Sequence, residues 1–307
     1  MLSFLPGWLL CPIVLLFGMS YTAVISLLIF IVSCVRYPLL WSPGASSFLI
    51  RVNNHLMGWW LYGNHLTLVL FTRAEVHVTG EIGEDESASQ IIVSNHISWL
   101  DTLIVGEITR KHLPVPKFFL KHSLLYVPFV GIACWGLGMP FMRRYKPAYL
   151  LRHPELRNKD IETTRKICRT FKGIPTTFVN FPEGTRFTEE KREKGGAPYK
   201  NLLTPKPGSL ALAIGSLDTF SRIICVTLHY PDNKESPFKA MLFGRLGRIY
   251  INLREIQITD DLKGDYTGDK QFKHSFQIWL RERWQEKDET LQKMKEQAEA
   301  DRKAVGK

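Results

Sequence analysis

The chain has 307 residues, of which 45% are hydrophobic and 22% charged, and its 40 Lys and Arg outnumber its 29 Asp and Glu to give a formal net charge of +11. This length accommodates one catalytic domain and a membrane segment, and the basic charge predicts an anionic partner, either nucleic acid or a lipid surface. The sequence has no zinc-finger spacing, RNP-like aromatic motif or recognition-helix pattern, so we expect no nucleic-acid partner.

The amino-terminal stretch Trp8–Val35 is almost continuously apolar, and Arg36 is the only Lys, Arg, Asp or Glu among the first 50 residues. About 20 apolar residues cross a bilayer, so this stretch is long enough. No basic region precedes it and it exceeds the length of a signal-peptide core, so we interpret residues 1–37 as a retained anchor. A break at Pro12 and Gly18 would make it a re-entrant hairpin; the sequence leaves one crossing and a hairpin both open.

A second uncharged stretch, Leu56–Phe71, is short for a membrane span but rich in the aromatic residues that favour membrane interfaces. It is either an interfacial or re-entrant helix or the first buried helix of the next domain, and we assign residues 38–74 to a membrane-interface helical segment. Positive charge follows the first apolar run and none precedes it, which by the positive-inside tendency places the bulk of the chain in the cytoplasm. The residues concerned are Arg36, Arg51 and Arg73.

Residues 75–260 alternate β-branched or aromatic runs with helical stretches, which predicts an α/β catalytic domain with a mixed sheet flanked by helices. The predicted strands are Val76–Thr79, Ile91–Ser94, Lys117–Leu120, Met139–Met142, Thr176–Phe181, Ile223–Leu228 and Ile249–Arg254. The predicted helices are Trp99–Ile108, Ser123–Trp135, Lys159–Phe171 and Ser209–Phe220. Residues 261–307 predict a C-terminal amphipathic helix and a charged tail, mostly solvated from Gln285 onward.

The first candidate for chemistry is the segment Asn95–Asp101 (NHISWLD), at the end of a predicted strand. An aspartate that accepts a hydrogen bond from one imidazole nitrogen leaves the other nitrogen as a base for a hydroxyl group. Residues five apart do not share a helical face, so we expect His96 in the loop and Asp101 in the first turn of the next helix. A structural alternative is a capping box with Ser98 as N-cap, and both interpretations can hold together.

The second candidate is Phe181–Arg186 (FPEGTR), again at a predicted strand end. Gly184 permits a tight turn, and the Arg186 guanidinium can bind a phosphate with two parallel hydrogen bonds. Glu183 would then bind a hydroxyl group or hold Arg186 in place. Taken alone, this hexapeptide is more simply a turn closed by an ion pair.

The third candidate is Gly138–Arg144 (GMPFMRR), a short strand that ends in two arginines. Adjacent strand residues face opposite ways, so only one of Arg143 and Arg144 can face a given site. Lys121 follows another predicted strand and adds a further cation. A solvated basic edge is the simpler explanation for all three.

The pattern Asn-His-x4-Asp, then Gly-x2-Phe-Met-x-Arg, then Phe-Pro-Glu-Gly-Thr-Arg resembles the lysophosphatidic-acid acyltransferase (PlsC-like) family of glycerolipid acyltransferases. The resemblance covers about Val76 to Leu228, and three motifs in order are far more specific than one. The segments Phe118–Arg144 and Tyr149–Arg165 most resemble the bacterial YihG-type members. The chain departs from the family at Arg143, where an acidic residue is common, and at Cys225–Leu228, which lacks the usual proline.

The resemblance implies acyl transfer from a thioester to a hydroxyl group without a covalent enzyme intermediate. His96 would remove the proton from the acceptor hydroxyl, and Asp101 would orient His96 and stabilise its imidazolium form. Arg144 would hold the phosphate of the acceptor. The other implied substrate-binding residues are Lys121, Glu183, Gly184, Thr185 and Arg186.

The implied partners are a lysophospholipid acceptor, a membrane, and acyl-CoA or acyl-carrier protein as the acyl donor. Lysophosphatidic acid is the first expected acceptor, and another lysophospholipid is the alternative. A thioester is already activated and the five scattered cysteines contain no CxxC pair, so we expect neither a metal nor a cofactor. The implied location is the bacterial inner membrane, with the catalytic domain on the cytoplasmic side. An alternative of another class is a catalytically silent membrane-associated binding protein.

Overall fold

The computed structural model describes residues 2, 4–85, 87–143, 149, 152–153, 159–171, 173–216, 220–234 and 236–305. The chain begins with two long antiparallel helices, α1 (Gly7–Arg36) and α2 (Pro43–Phe71), joined through a 3₁₀ turn at Tyr37–Leu39. Helix α1 continues through Pro12, because the helical hydrogen bonds on either side compensate for the single backbone donor that a proline lacks. The chain therefore reverses after α1 and not at the proline.

Helix α1 combines an apolar outer face with close packing on the following domain. Residues Gly7–Leu39 are long and apolar enough to cross a membrane. A Cβ atom on Gly7 would meet Phe243, and one on Gly136 would meet Ile29 and Ser33, so both ends of α1 lie against the domain. The exposed apolar side chains of α1 include Trp8, Leu16, Met19, Val24, Leu27 and Ile31.

Helix α2 has one buried and one exposed face. Its buried residues recur every three or four positions and include Ile50, Asn53, Met57 and Leu61. Asn53 donates hydrogen bonds to Ser33 Oγ of α1 at 3.1 Å and to the carbonyl of Gly136 at 3.2 Å. The opposite face exposes Trp59 and Tyr62. Helix α2 is therefore a buried layer of the domain on one side, as one interpretation of Leu56–Phe71 expects, and exposes aromatic side chains on the other.

The main sheet has six strands in the order β1-β8-β7-β2-β6-β3, and β4 and β5 form a separate parallel pair. The strands are β1 (Val76–Thr79), β2 (Ser89–Ser94), β3 (Pro116–Phe118), β4 (Leu120–Lys121), β5 (Phe141–Met142), β6 (Thr177–Asn180), β7 (Phe220–His229) and β8 (Ile249–Gln257). Neighbours in the main sheet are parallel except β7 and β8. The predicted mixed sheet is thus confirmed.

Helices cover both faces of this sheet. They are α3 (Leu100–His112), α4 (Val130–Gly136), α5 (Lys159–Thr170), α6 (Glu189–Lys194), α7 (Gly208–Ile214), α8 (Pro237–Leu242) and α9 (Lys270–Val305). Along the central strand β2, Ile92 packs in the cluster that contains α2 and α3 residues, while Ile91 and Val93 pack in the cluster of α5, α7 and α9. This alternation buries both faces of β2 and fixes its register.

Two predicted elements are divided in the structure. The predicted helix Ser123–Trp135 is a 3₁₀ turn at His122–Tyr126 followed by α4, because Pro128 lacks an N–H group and Phe129 adopts a positive φ of 62°. The predicted strand Lys117–Leu120 is shared between β3 and β4. In addition, the predicted helix Ser209–Phe220 ends at Ile214, since Phe220 begins β7.

The C-terminal helix α9 packs on the domain well beyond the predicted boundary. Phe276, Leu280 and Trp284 are buried, as expected for the amphipathic part. Leu291, Met294 and Ala298 continue this buried face, and Lys287 and Asp288 are buried as well. The prediction that the chain is mostly solvated from Gln285 onward was wrong for this inner face, because sparse apolar residues with helical spacing suffice to dock it.

Lys117 in β3 joins the sheet to the helical hairpin. Its side chain is fully buried, and its Nζ donates a hydrogen bond to Asn54 Oδ1 of α2 at 2.8 Å. The same Nζ lies 5.0 Å from the centre of the Phe171 ring. Burial lowers the pKa of Lys117 to about 7.

We expect Lys117→Met to change how stability depends on pH. The pKa of Lys117 is lower in the folded than in the unfolded chain, so stability should rise by roughly 2–4 kcal/mol between about pH 7 and pH 10. The variant lacks the titrating group and should show a flatter curve in thermal unfolding at several pH values. Lys111→Met, at a half-exposed lysine of α3, is the control. A wild-type slope in Lys117→Met would contradict this assignment.

Candidate active site

His96 and Asp101 meet at one edge of the sheet, where the central strand β2 ends. His96 lies in the loop that follows β2, and Asp101 lies in the first turn of α3. The His96 Nδ1 atom is 2.8 Å from Asp101 Oδ2, with Asp101 fully buried and 18% of the His96 side chain exposed. The placement expected from the five-residue spacing is therefore observed.

The Asp101 carboxylate is held by donors from two parts of the chain, the loop that precedes α3 and Tyr230. Oδ2 also accepts hydrogen bonds from the backbone N–H groups of Ile97 at 2.5 Å and Ser98 at 2.8 Å. Oδ1 accepts from the Tyr230 hydroxyl at 2.9 Å. Ser98 Oγ accepts from the N–H of Leu100 at 3.3 Å, so the segment also caps α3. The pairing interpretation holds, and of the predicted capping box the bond from the Ser98 N–H to Asp101 is present, although Trp99 and not Ser98 is the N-cap of α3.

This geometry selects one tautomer of His96. A carboxylate only accepts hydrogen bonds, so Nδ1 carries a proton and Nε2 is the basic nitrogen. The imidazole stacks on the Phe181 ring with centroids 4.4 Å apart, which restrains its rotation. His96 can therefore act as a general base at Nε2.

Glu183 accepts a hydrogen bond from the backbone of His96 and so supports the loop that contains it. It is 2% exposed, its Oε1 accepts from the backbone N–H of His96 at 3.2 Å, and its Oε2 accepts from that of Leu203 at 3.1 Å. Burial raises the pKa of Glu183 to about 8. Both carboxylate oxygens therefore accept hydrogen bonds from backbone N–H groups in place of the expected ion pair with Arg186, and the contact with a substrate hydroxyl group stays a prediction.

The rest of the FPEGTR turn faces outward. Gly184 has a φ of 69°, which few other residues adopt, and its N–H donates to the carbonyl of Phe181 at 2.9 Å. Thr185 and Arg186 are exposed, and the Arg186 guanidinium lies 5.4 Å from the centre of the Trp99 ring. Arg186 is therefore an exposed cation beside the loop that contains His96.

Two of the cations named with the third candidate, Lys121 and Arg143, lie at the same edge of the sheet. Lys121 is exposed and pairs in register with Met142 in the β4–β5 pair, and Arg143 follows directly as an exposed residue. The N–H of Phe119 donates to the carbonyl of Val179, so β4 extends beyond the end of β6. Arg144, the expected phosphate ligand, lies outside the described residues.

Sequence reasoning assigned no role to three residues of this site. Asn95 donates to the carbonyl of Leu228 at 3.0 Å and accepts from its N–H at 2.9 Å, which joins the ends of β2 and β7. Tyr230 bonds Asp101, and Phe181 stacks on His96. Phe181 ends one predicted strand and Tyr230 lies two residues after another, so the shared edge of parallel strands was the signal available in the sequence.

The cysteines of the chain are free thiols. All five cysteines are free, and burial raises the pKa of both Cys134 and Cys168 to about 12. Within the described ranges, His, Cys, Asp and Glu side chains form no group of three or more that could hold a metal ion.

Tyr230→Phe should lower the free energy of unfolding by about 1.5–3 kcal/mol, because Asp101 Oδ1 loses a buried donor. Burial and the Asp101 carboxylate hold the pKa of Tyr230 well above its usual value, so the lost donor is a neutral hydroxyl. Tyr250→Phe is the matched control, since its hydroxyl donates to the more exposed Asp301 at 2.5 Å. Urea unfolding of both variants measures the difference. Equal losses would contradict a special role for the Asp101 contact.

The comparisons with known proteins assign the chain to a family. The model of the family described as Acyltransferase matches residues 75–229. The chain is 26% identical over 259 residues to lysocardiolipin acyltransferase 1 of Danio rerio, covering 80% of this chain and 62% of that protein. It is 26% identical over 246 residues to human 1-acyl-sn-glycerol-3-phosphate acyltransferase delta, covering 76% of this chain and 58% of that protein.

A solved structure, the 1-acyl-sn-glycerophosphate (LPA) acyltransferase PlsC of Thermotoga maritima, aligns with 93% of this chain and 96% of its own at 18% identity and a TM-score of 0.49. The chain spans about three fifths of the length of the two curated relatives. The family match takes in His96, Asp101 and the segment Phe181–Arg186 and covers half of the chain. The chain therefore belongs to the Acyltransferase family.

Proposed function

We propose that this protein transfers a fatty acyl group from a thioester to the free hydroxyl group of a lysophospholipid, with lysophosphatidic acid as the first acceptor. The observation that supports it is the buried Asp101 carboxylate on Nδ1 of a part-exposed His96, within a chain of the Acyltransferase family. Acyl-CoA or acyl-carrier protein is the proposed donor. No metal or cofactor enters the proposed reaction, because the thioester is already activated.

The proposed reaction needs one base and one orienting carboxylate. Nε2 of His96 accepts the proton of the acceptor hydroxyl group while the hydroxyl oxygen forms a bond to the carbonyl carbon of the thioester. Asp101 stabilises the imidazolium that results. The tetrahedral intermediate then collapses, the carbon–sulfur bond breaks, and the imidazolium returns its proton to the departing thiolate.

The proposed acceptor site is formed by the cationic side chains near His96 and Asp101. Arg186 and Lys121 are exposed at the edge of the sheet where His96 lies. Gly184 and Thr185 form the turn that precedes Arg186, and we include them in the proposed site. Guanidinium and ammonium groups bind phosphate with charge-assisted hydrogen bonds. We include Arg144 in this site on sequence grounds alone, and we place Glu183 behind His96 as a positioning residue.

We further propose a membrane location, with the catalytic domain on the cytoplasmic side of a bacterial inner membrane and kinship with the YihG-type members. The support is the exposed apolar face of α1 and the positive charge that follows it in sequence. Ile132 and Trp135 of α4 expose further apolar area beside α1. Because both ends of α1 pack on the domain, the proposed arrangement is a hairpin held at the membrane surface.

His96→Ala should lower turnover by roughly 100- to 10,000-fold, because it removes the base, while the protein stays in the membrane fraction. The assay uses membranes with labelled acyl-CoA or acyl-carrier protein and a panel of lysophosphatidic acid, lysophosphatidylglycerol and lysocardiolipin. His112→Ala, at a histidine that bonds Glu84 at the surface, is the matched control.

The outcomes of this assay separate the candidate functions. Near-wild-type turnover in His96→Ala would contradict the mechanism. A wild type that prefers lysophosphatidylglycerol or lysocardiolipin would assign the protein to phospholipid remodelling. A wild type that acylates nothing with either donor would favour the catalytically silent binding protein.

Arg186→Ala should raise the KM for the acceptor by about ten-fold and leave kcat nearly unchanged, because it removes a phosphate contact that is present before and during the reaction. Arg254→Ala, at a half-exposed arginine of β8 paired with Glu286, is the control for loss of one positive charge. A fall in kcat at constant KM would instead show that Arg186 acts in the transition state.

A further inference from the structure

The short helix α6, which follows the FPEGTR turn, contains three glutamates and three cationic residues. Two of its cations pair with glutamates of the same helix: Arg192 lies 3.1 Å from Glu189, and Lys194 lies 2.5 Å from Glu190. The third cation, Lys191, makes no ion pair within the described ranges and instead contacts the preceding turn. Its bonding partners therefore indicate a role other than balancing the charge of α6.

The ammonium group of Lys191 binds two oxygen atoms of the turn. Its Nζ donates one hydrogen bond to Thr185 Oγ1 at 2.9 Å and a second to the backbone carbonyl of Arg186 at 2.8 Å. The backbone of Lys191 is held as well, because its N–H donates to the side chain of Thr188, the N-cap of α6, at 3.3 Å. Two of the three N–H groups of the ammonium are thus used to hold the turn.

The carbonyl that Lys191 binds belongs to the peptide unit between Arg186 and Phe187. The N–H group of this same unit donates a hydrogen bond to the backbone carbonyl of His96 at 2.7 Å. A peptide unit is planar and rigid, so two bonds on opposite sides fix its orientation. The bond from Lys191 therefore fixes the backbone from which the Arg186 side chain extends, and it does so directly beside the loop that contains His96.

The Arg186 side chain has a second contact at its far end. Its guanidinium group lies 5.4 Å from the centre of the Trp99 ring, and the residue is exposed. A cation–aromatic contact at an exposed position contributes little by itself, so the place of the guanidinium depends also on the backbone. A long side chain loses conformational freedom when it binds a ligand, and a backbone that is already fixed reduces this loss.

We propose that Lys191 is a positioning residue for the acceptor: its ammonium group holds the Arg186–Phe187 peptide unit, so that the Arg186 guanidinium is in place beside His96 before the acceptor phosphate binds. This inference rests on the proposed function, in which Arg186 is a phosphate ligand. Lys191 acts through Arg186 and makes no contact with the acceptor in this proposal.

The kinetic test compares wild type with Lys191→Met in the acyl-transfer assay. Without the ammonium group the peptide unit keeps only its bond to His96, and the acceptor has to order Arg186 as it binds. The KM for lysophosphatidic acid should rise about three- to five-fold while kcat stays nearly unchanged. Lys191→Arg can donate to both oxygen atoms of the turn and should restore the wild-type KM.

Lys194→Met is the matched control on the same helix. The Lys194 side chain is 76% exposed and pairs with Glu190. Its substitution removes the same charge from α6 but no hydrogen bond to the turn. The KM should therefore stay at the wild-type value, which separates the loss of a bond from the loss of a positive charge near the site.

A double-mutant cycle tests whether Lys191 acts through Arg186. In an Arg186→Ala background no guanidinium remains to be positioned, so Lys191→Met should raise the KM no further. Additive effects would overturn the inference, because Lys191 would then act on the acceptor without Arg186. A fall in kcat at unchanged KM would overturn it as well, since the effect would then lie on His96.

Hydrogen exchange at the Phe187 amide reads the same bond without turnover. This N–H group is bonded to the carbonyl of His96 and exchanges when the turn opens. The amide should exchange several-fold faster in full-length Lys191→Met than in wild type, and at the wild-type rate in Lys191→Arg and Lys194→Met. Mass spectrometry of a peptide that contains residues 184–190 measures the rate.

The two readouts separate failure of this inference from failure of the proposed function. A wild-type KM in folded Lys191→Met would overturn the inference, whatever the exchange rate, and would leave acyl transfer by His96 standing. Failure of the proposed function has a different signature, namely a wild type that acylates no lysophospholipid while Lys191→Met still speeds exchange at Phe187.

Discussion

The site depends on the burial of two carboxylates, Asp101 and Glu183, near the end of the central strand. A carboxylate without water needs hydrogen-bond donors at both oxygens, and each missing donor costs about 1–3 kcal/mol or more. Asp101 obtains four and Glu183 obtains two, and most of these come from the loop between β2 and α3. The conformation that satisfies both carboxylates is therefore the one that places His96.

Sheet topology explains how donors so distant in sequence reach one place. Strands β2, β6 and β7 are neighbours and parallel, so the residues that follow them lie at a common edge. His96, Glu183 and Tyr230 each follow one of these strands. The mutual hydrogen bonds between Asn95 and Leu228 close this edge between β2 and β7. Helix α9 packs on β7, where Lys287 donates a hydrogen bond to the carbonyl of Val226.

The sequence predicts the parts of this architecture that depend on local pattern. Strand β1 has the predicted bounds, and the spacing of His96 and Asp101 correctly implies a loop residue and a helix residue. The role of Glu183 was not predictable in this way, because its partners are backbone N–H groups that any residue supplies. The inner face of α9 was missed for a related reason. Lys287 and Asp288 look solvated in sequence and are buried only because a strand end and a backbone turn meet them.

The electrostatics of the site follow from this internal compensation. Since the donors of Asp101 and Glu183 and the ammonium of Lys287 lie inside the protein, the two acids contribute little negative field at the surface. The exposed groups at the same edge, Lys121 and Arg186, are cationic. In the proposed reaction an anionic acceptor would thus meet exposed cations, although two carboxyl groups lie behind the proposed base. Burial and hydrogen bonding of those carboxyl groups make a basic histidine compatible with a surface that attracts phosphate.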